Sequence, residues 1–121
     1  MFDLTKLTKL FRKENIKTYL ETSGAYPLTG TWNWICVSPK KFKGPLKEVL
    51  LKADELKVIV FNKSDFNWAE EHHLKVSADC KLFLQPEYGS FDKVISLIVD
   101  YVKQNPSWTI SLQTHKVINI P

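Results

Sequence analysis

The hydrophobic positions along this chain recur with two different periods, which predict helices and strands in alternation. Apolar residues spaced three and four apart predict an amphipathic helix over residues 3–15, with Asp3 as its N-cap. A nearly unbroken apolar run over residues 55–61 is typical of a strand that is covered on both faces in a parallel sheet. The same helical spacing predicts a helix over Phe91–Gln104, capped by Ser90.

The remaining segments complete the order helix, strand, strand, helix, strand, helix, strand, helix, strand. Because strands that alternate with helices form right-handed β-α-β crossovers, we expect an α/β fold built on a parallel sheet. The 121 residues contain no repeat or linker, so we expect a single domain over 1–121. The other predicted elements are strands over 16–21, 32–37, 80–84 and 108–112, and helices over 45–52, with a proline in its first turn, and 65–76.

Composition places the chain among ordinary globular domains. Hydrophobic residues make up 44% and charged residues 25%, which excludes a disordered chain, a collagen-like repeat and a disulfide scaffold. No apolar run approaches the roughly 18 residues that cross a bilayer, and the first residues lack the apolar core of a signal peptide. We therefore expect a cytoplasmic protein without a membrane partner. The net charge of +4 favours anionic ligands, but the lysines are scattered, so a nucleic-acid binder is the weaker alternative.

The two cysteines are expected to be structural. Cys36 and Cys80 lie 44 residues apart, and each is part of an apolar run. The chain therefore has no Cys-x-x-Cys pair and no zinc-type spacing. Since free cysteine is among the most frequently buried residues, we expect two buried thiols rather than redox or metal-binding groups.

The polar residues that follow each strand are the candidates for ligand binding, because ligands bind at the carboxyl ends of parallel strands. Glu21 with Gly24 is typical of a carboxylate that binds hydroxyls beside a close backbone approach. Lys40 follows a strand directly and could meet a carboxylate or a phosphate. His115 lies after the last predicted strand and is a further candidate. A solvated turn, a solvated lysine run and a surface histidine are the ordinary alternatives.

Two aromatic pairs are open to simpler interpretations. His72 and His73 are adjacent in a predicted helix, where their side chains point about 100° apart, so they are interpreted as a surface pair rather than as joint metal ligands. Trp32 and Trp34 occupy alternate positions of one predicted strand and should face the same side of the sheet. Core packing accounts for them, and stacking on a base or a pterin is the alternative.

A series of short segments carries a family resemblance. In chain order they are Tyr19-Leu20-Glu21-Thr22-Ser23-Gly24, Trp34-Ile35-Cys36-Val37-Ser38-Pro39-Lys40, Ala53-Asp54-Glu55-Leu56-Lys57, Leu84-Gln85-Pro86, and Ile110-Ser111-Leu112-Gln113-Thr114-His115-Lys116 with the closing Asn119-Ile120-Pro121. Over essentially all of its length, the chain resembles the carboxyl-terminal part of the 7-carboxy-7-deazaguanine synthases, which are radical S-adenosylmethionine enzymes of queuosine and 7-deazapurine biosynthesis.

The resemblance implies the rear portion of a partial TIM-like barrel. It also implies a whole enzyme in which a [4Fe–4S] cluster reductively cleaves S-adenosylmethionine. The resulting 5′-deoxyadenosyl radical abstracts hydrogen from 6-carboxy-tetrahydropterin, and the ring contracts with loss of ammonia to give 7-carboxy-7-deazaguanine, assisted by magnesium. Such an enzyme is a lyase, and its product enters a tRNA modification pathway without direct nucleic-acid contact.

The resemblance further assigns residues to the two small molecules. Ser38, Pro39 and Lys40 are implied to contact S-adenosylmethionine, and so are the Gln-Pro stretch and the two residues after it. Glu21 and Ser23 are implied to lie near this cofactor. The terminal carboxylate of Pro121 is implied to reach the pterin substrate, and His115 is grouped with it as a candidate. The full implied set for S-adenosylmethionine is Ser38, Pro39, Lys40, Gln85, Pro86, Glu87, Tyr88, Glu21 and Ser23.

The chain lacks the family's cysteine triplet, its magnesium-binding hydroxyl and its Gly-Gly-Glu-Pro motif. No catalytic residue and no metal ligand is therefore assigned, and the chain alone is expected to be inactive. The alternatives are a non-catalytic domain that binds S-adenosylmethionine or a pterin, and one subunit of a split enzyme. Because absent amino-terminal strands would leave an open sheet edge, we expect a homodimer or a complementing, cluster-bearing half.

Overall fold

The computed structural model describes residues 3–112 and shows one parallel sheet that packs against helices, which confirms the predicted α/β class and the order of elements. All five strands run parallel in the order β1-β2-β3-β4-β5, which is also their order along the chain. The strands are β1 Tyr19–Thr22, β2 Trp34–Val37, β3 Glu55–Val60, β4 Lys81–Pro86 and β5 Trp108–Ile110. The helices are α1 Thr5–Lys13, α2 Lys47–Lys52, α3 Asp65–His73 and α4 Phe91–Gln104, with a 3₁₀ turn over Tyr88–Ser90.

The two faces of the sheet differ in polarity. One face is apolar and forms the core with α2, α3 and α4, and it includes Val37, Leu56, Val58, Val60 and Leu84, all with no exposed surface. The alternate residues form the opposite face, which we call the polar face. Because paired residues of neighbouring strands share a face, the strand register defines its members as Tyr19, Glu21, Trp34, Cys36, Glu55, Lys57, Ile59, Lys81, Phe83, Gln85 and Thr109.

The prediction that the third strand is covered on both faces was wrong. In β3 the residues Leu56, Val58 and Val60 are buried, whereas Glu55, Lys57 and Ile59 are only half-buried. Because Ile59 is apolar although it lies on the polar face, the sequence of β3 reads as a nearly continuous apolar run. The alternation of the two faces with a period of two is therefore not apparent from the sequence. A strand with one covered face leaves its other face for ligands or for further chain.

Several predicted element ends were wrong by two or three residues. The strand β1 begins at Tyr19, where pairing with Trp34 of β2 starts, and Asn15 turns the chain after α1 with a φ of 59°. Helix α2 begins at Lys47, so Pro45 precedes the helix instead of occupying its first turn. Helix α3 ends at His73 rather than at residue 76, and β4 extends through Pro86 because its last two residues pair with β3.

Of the two predicted N-caps, Ser90 occupies its expected position and Asp3 does not. The cap position of α1 is Leu4, although Asp3 still accepts a hydrogen bond from the Thr5 backbone N–H at 2.9 Å. Ser90 is at the cap position of α4, but its side chain makes no capping hydrogen bond. The preceding 3₁₀ turn is instead capped by Glu87, whose carboxylate accepts from the Gly89 N–H at 2.9 Å.

The aromatic and thiol predictions had mixed outcomes. Trp32 lies before β2 and its indole N–H donates to the Thr29 carbonyl at 2.8 Å, so it does not pair with Trp34 on one face as predicted. His72 is buried, so its interpretation as a surface residue was wrong. It lies on the same face of α3 as the buried Asp65 and Ala69. Both cysteines are buried as predicted, and burial raises the pKa of Cys36 to about 12.

A polar network joins α3, α4 and β5 through Glu70. Its carboxylate accepts hydrogen bonds from His73 Nδ1 at 2.8 Å, from Trp108 Nε1 at 3.3 Å and from the Tyr101 hydroxyl. Burial acts to raise the pKa of Glu70, but these hydrogen bonds outweigh it and hold the pKa below its ordinary value of 4.5. The network therefore stabilises the fold more when Glu70 is ionised than when it is protonated.

We expect a Glu70→Gln variant to lose less stability in acid than the parent chain. Since the folded-state pKa is lowered, the contribution of Glu70 is complete above 4.5 and disappears as the pH falls through the folded value. The urea midpoint should therefore drop less between pH 7 and pH 3 in the variant. The exposed neighbour Glu71→Gln is the control and should keep the parental pH dependence. An unchanged pH dependence in Glu70→Gln would contradict this role.

No helix within residues 3–112 combines the length and apolarity required to span a membrane.

Candidate functional site

A polar cavity of about 240 Å³ lies at the carboxyl-terminal side of the first four strands. Residues of β1, β3 and β4 and of the segments that follow β1 and β2 line it, because parallel strands all end at the same edge of the sheet. Its lining residues are Glu21, Thr22, Ser23, Ser38, Lys40, Lys57, Ile59 and Gln85. The cavity therefore brings together Glu21, Ser23, Ser38, Lys40 and Gln85, five of the residues singled out from the sequence.

Ser38 lies at the end of β2 and carries the cavity's unpartnered hydroxyl. Its backbone N–H donates to the Thr22 carbonyl at 2.8 Å, which continues the parallel ladder with β1. The residue is only 6% exposed, and its Oγ has no hydrogen-bond partner among the described residues. Since a buried hydroxyl without a partner costs free energy, Ser38 is suited to bond a ligand.

Gln85 of β4 also lines the cavity, and its side chain is held in place by a hydrogen bond. It lies on the polar face, pairs with Ile59 of β3 and is 3% exposed. The Ser111 hydroxyl donates to Gln85 Oε1 at 3.3 Å, which orients the side-chain amide. The amide nitrogen is therefore the group that remains to donate a hydrogen bond.

A cross-strand ion pair forms part of the cavity wall. Lys57 Nζ donates to Glu21 Oε1 at 2.6 Å, reaching from β3 to β1 across the intervening β2. The lysine side chain is mostly buried, whereas the carboxylate is about half exposed. Glu21 therefore keeps acceptor capacity toward the cavity while Lys57 offsets its charge.

Three neighbouring lysines have different surroundings. Lys41 pairs with the buried Asp65, and Lys43 lies over the ring of Tyr26 at 4.0 Å. Lys40 lines the cavity and a second, more apolar one of about 340 Å³, and within residues 3–112 no side-chain hydrogen bond or ion pair engages its ammonium group. Of the three, Lys40 is the cation available to an anionic ligand group.

A glycine turn holds the loop that follows β1. Gly24 has a φ of +77°, its N–H donates to Thr22 Oγ1 at 3.1 Å, and its carbonyl accepts from the Leu46 N–H at 2.8 Å. A Cβ at this position would lie 2.9 Å from Cβ of Pro45. The left-handed backbone and the close approach together require glycine.

Gly24→Ala should therefore lower the free energy of unfolding by about 1–3 kcal/mol, from left-handed strain and the clash with Pro45. Gly44→Ala is the matched control, because nothing lies within 4 Å of its added Cβ and its φ is not in the left-handed region. Urea unfolding of both variants checks the prediction, and equal losses would contradict it.

The other sequence candidates lie apart from the cavity or outside the described residues. Pro39 lines the second cavity. Pro86 follows Gln85 and so belongs to the apolar face, and the Glu87 N–H donates to the Val60 carbonyl at 2.9 Å. Tyr88 is half-exposed on the 3₁₀ turn. His115 and Pro121 lie outside the described residues, so their assignment stays a prediction, as do all the binding roles.

Sequence reasoning missed Lys57 and Ile59 as cavity residues, and it placed Thr22 at this edge of the sheet without assigning it a ligand. Thr22 immediately precedes Ser23, and Lys57 and Ile59 occupy alternate positions of β3. The sequence feature that could have identified Lys57 and Ile59 is the alternation with a period of two in β3, which the nearly continuous apolar run obscures. Within residues 3–112 no group of three or more His, Cys, Asp or Glu side chains is placed to hold a metal ion.

Comparison with known proteins relates the chain to one family. The chain is 52% identical over 120 residues to the 7-carboxy-7-deazaguanine synthase of Flavobacterium psychrophilum and 41% identical over 120 residues to that of Synechocystis. Each match covers 99% of this chain but 57% of the relative, so the chain spans little more than half the length of these relatives. No family model matches the chain.

The fold has a counterpart among solved structures. The crystal structure of QueE from Escherichia coli superposes with a TM-score of 0.78 at 28% sequence identity. The match covers 93% of this chain and 51% of that chain. The five-stranded parallel sheet is therefore part of a larger architecture in that protein, as the expected rear portion of a barrel requires.

Proposed function

This chain belongs to the 7-carboxy-7-deazaguanine synthase family and matches a carboxyl-terminal part of its members, and from that premise we propose that it supplies part of an S-adenosylmethionine site. The whole protein would convert 6-carboxy-tetrahydropterin to 7-carboxy-7-deazaguanine by ring contraction with loss of ammonia. The observation that carries the proposal is the unpartnered Ser38 hydroxyl, buried beside Lys40 and Gln85 in the polar cavity.

The groups of the cavity match the groups of this cofactor. Ser38 and the Gln85 amide offer neutral hydrogen bonds, and Lys40 offers a positive charge that suits the methionyl carboxylate. Glu21 retains an acceptor oxygen, which suits the hydroxyls of a ribose. When bound, S-adenosylmethionine supplies the 5′-deoxyadenosyl group used in the radical chemistry of the whole enzyme. In this proposal the residues of this chain bind and orient the cofactor.

The residues of this chain do not fit an iron–sulfur cluster. The sequence holds two cysteines, whereas a cluster that cleaves S-adenosylmethionine needs three closely spaced thiolates in this family. Burial raises the pKa of Cys36 to about 12 and that of Cys80 to about 11, so both stay protonated at neutral pH. We therefore propose that the chain alone is inactive, and that the cluster and magnesium ligands belong to other residues of the whole protein.

A chimera tests the proposed function. The part of the F. psychrophilum relative that precedes its match is joined to this chain, and the purified product is reconstituted with iron and sulfide. It is then assayed with 6-carboxy-tetrahydropterin, S-adenosylmethionine and a reductant. We expect 7-carboxy-7-deazaguanine from the chimera and none from the 121-residue chain. Ser38→Ala in the chimera should lower kcat/KM for S-adenosylmethionine about tenfold, the loss expected for one buried hydrogen bond.

Ser77→Ala is the matched control, because Ser77 is exposed and lies outside the polar cavity. A chimera that folds and holds the same iron content as the active relative, yet yields no product, would overturn the proposal. Equal kinetic parameters for Ser38→Ala and Ser77→Ala would overturn the role of Ser38.

A further inference from the structure

An ion pair separates the polar cavity from a buried thiol. The strand register sets Glu21 level with Cys36 of β2 and with Glu55 of β3, all on the polar face. Cys36 nevertheless has no exposed surface and does not line the polar cavity, whereas Glu21 and Lys57 do. Because Lys57 Nζ lies 2.6 Å from Glu21 Oε1, the lysine side chain crosses β2 between the cavity and Cys36. We call this bridge between Lys57 and Glu21 the cavity floor.

The surroundings of Lys57 on the polar face determine which carboxylate it binds. Glu55 lies two residues away on the same strand, but its Oε1 accepts from the Trp34 indole N–H at 2.9 Å. On the β4 side Lys57 pairs in register with Phe83, whose side chain offers no acceptor oxygen. Glu21 is the carboxylate that Lys57 binds, and the lysine side chain is 20% exposed in this position. The bridge therefore follows from the arrangement of three strands.

The cavity floor determines what Glu21 presents to a ligand. A glutamate side chain that is about half exposed has several rotamers open to it. Lys57 binds one carboxylate oxygen, which fixes the side chain and leaves the other oxygen as an acceptor for a ligand. The charge of Lys57 also offsets that of Glu21, which would otherwise repel the carboxylate of a bound methionyl group. Loss of Lys57 should therefore change both the direction and the net charge of this wall of the cavity.

We propose that Lys57 is a positioning residue of the cofactor site, which acts through Glu21 by holding its carboxylate toward the ligand. This inference rests on the proposed binding of S-adenosylmethionine, and it adds the residue on which the orientation of Glu21 depends. Since Val37 pairs with Leu56, the next residues of the two strands bring Ser38 level with Lys57. The cavity floor thus lies directly beside the unpartnered Ser38 hydroxyl.

The thiol beneath the cavity floor reports on the bridge in the 121-residue chain. The folded protein is treated with methyl methanethiosulfonate, and modification of Cys36 and of Cys80 is followed separately by peptide mass spectrometry. We expect Lys57→Ala to speed the modification of Cys36 at least about tenfold, because it removes the side chain that lies over the thiol. The rate at Cys80 is the internal control for unfolding and should stay unchanged. An unchanged rate at Cys36 would overturn the cavity floor.

A double-mutant cycle in the chimera tests whether Lys57 acts through Glu21. Lys57→Met keeps the apolar stem and removes the charge, so its effect does not come from lost packing. We expect it to raise KM for S-adenosylmethionine about tenfold with kcat within about twofold, and Lys57→Arg should recover most of that loss. The double variant of Lys57→Met with Glu21→Ala should have the KM of Glu21→Ala alone, because no carboxylate remains for Lys57 to orient.

Lys81→Met is the matched control and should keep the parental KM, since Lys81 is exposed on the same face of the sheet and lies outside the polar cavity. Losses that multiply in the double variant would overturn the proposal, because Lys57 would then act independently of Glu21. A parental KM in Lys57→Met would overturn it as well. A chimera that holds iron but yields no product would overturn the proposed function, whereas the modification of Cys36 would still decide whether the cavity floor exists.

Discussion

Replacing the charged residue Asp65, which follows a turn, with alanine should lower the free energy of unfolding by about 3 kcal/mol. Asp65 begins α3 and is 1% exposed. Its carboxylate accepts from the backbone N–H groups of Phe61 at 2.7 Å and Asn62 at 3.2 Å, and it pairs with Lys41. Alanine leaves both backbone donors and the lysine without their partner, at the point where β3 turns into α3.

The pKa of Asp65 explains why the loss should depend on pH. Burial acts to raise this pKa, but the hydrogen bonds from Lys41, Phe61 and Asn62 outweigh it and hold the pKa below its ordinary value of 3.8. A lowered folded-state pKa contributes stability that is present above 3.8 and is lost as the pH falls through the folded value. The difference between parent and Asp65→Ala should therefore be full at pH 7 and smaller at pH 2.5.

Asp79→Ala is the matched control for this comparison. Asp79 is exposed in the turn before β4, and within residues 3–112 no hydrogen bond or ion pair involves its side chain. We expect its urea midpoint at pH 7 to stay within the error of the parent. Equal losses for Asp65→Ala and Asp79→Ala would show that the turn after β3 does not depend on the buried carboxylate.

The order of helices and strands was predictable because turn-forming residues separate them in the sequence. Proline and glycine separate the apolar runs, and the helical spacing of α4 matched its observed bounds, Phe91–Gln104. The ends of β1 and β2 were less predictable because they depend on contacts between distant residues. Asn33 Oδ1 accepts from the Thr18 N–H at 2.7 Å, and this bond closes the loop just before pairing begins.

The candidate site was predictable to the extent that it follows from topology. Parallel strands end at one edge, so Glu21, Ser38 and Gln85 could be expected to converge, and the structure brings all three to one cavity. Lys57 could not be found in this way, because it lies in the middle of β3 and reaches the cavity along the polar face. Its recognition required the register, which sets Glu55 level with Glu21 and places Lys57 two residues farther along β3, within reach of the Glu21 carboxylate.

The buried state of His72 illustrates a different limit. Adjacent histidines after two glutamates are typical of an exposed helix surface, and the sequence gives no sign that one of them faces the core. The structure places the imidazole edge-on to Trp68, with ring centroids 5.0 Å apart. Burial lowers its pKa, so the ring stays neutral and packs as an aromatic group. Tertiary packing decided this position against its local polarity.

Leu84→Ala should lower the free energy of unfolding by about 2–5 kcal/mol, the range for a leucine removed from a closed core. Leu84 has no exposed surface and lies in β4, between Val58 of β3 and Ile110 of β5. Both neighbouring strands fix its surroundings, so the site has little freedom to collapse around the cavity that alanine leaves. Urea unfolding at pH 7 measures the loss.

Leu74→Ala is the matched control, because it removes the same atoms from a side chain that is 85% exposed, and it should change stability by less than about 0.5 kcal/mol. Because Gln85 is the next residue and lies on the polar face, the Leu84 result also tests the division of the sheet into two faces. A loss below about 1 kcal/mol would mean that the apolar face is loosely packed. In that case the strand ends, and with them the cavity at Ser38 and Gln85, would not be held by the core.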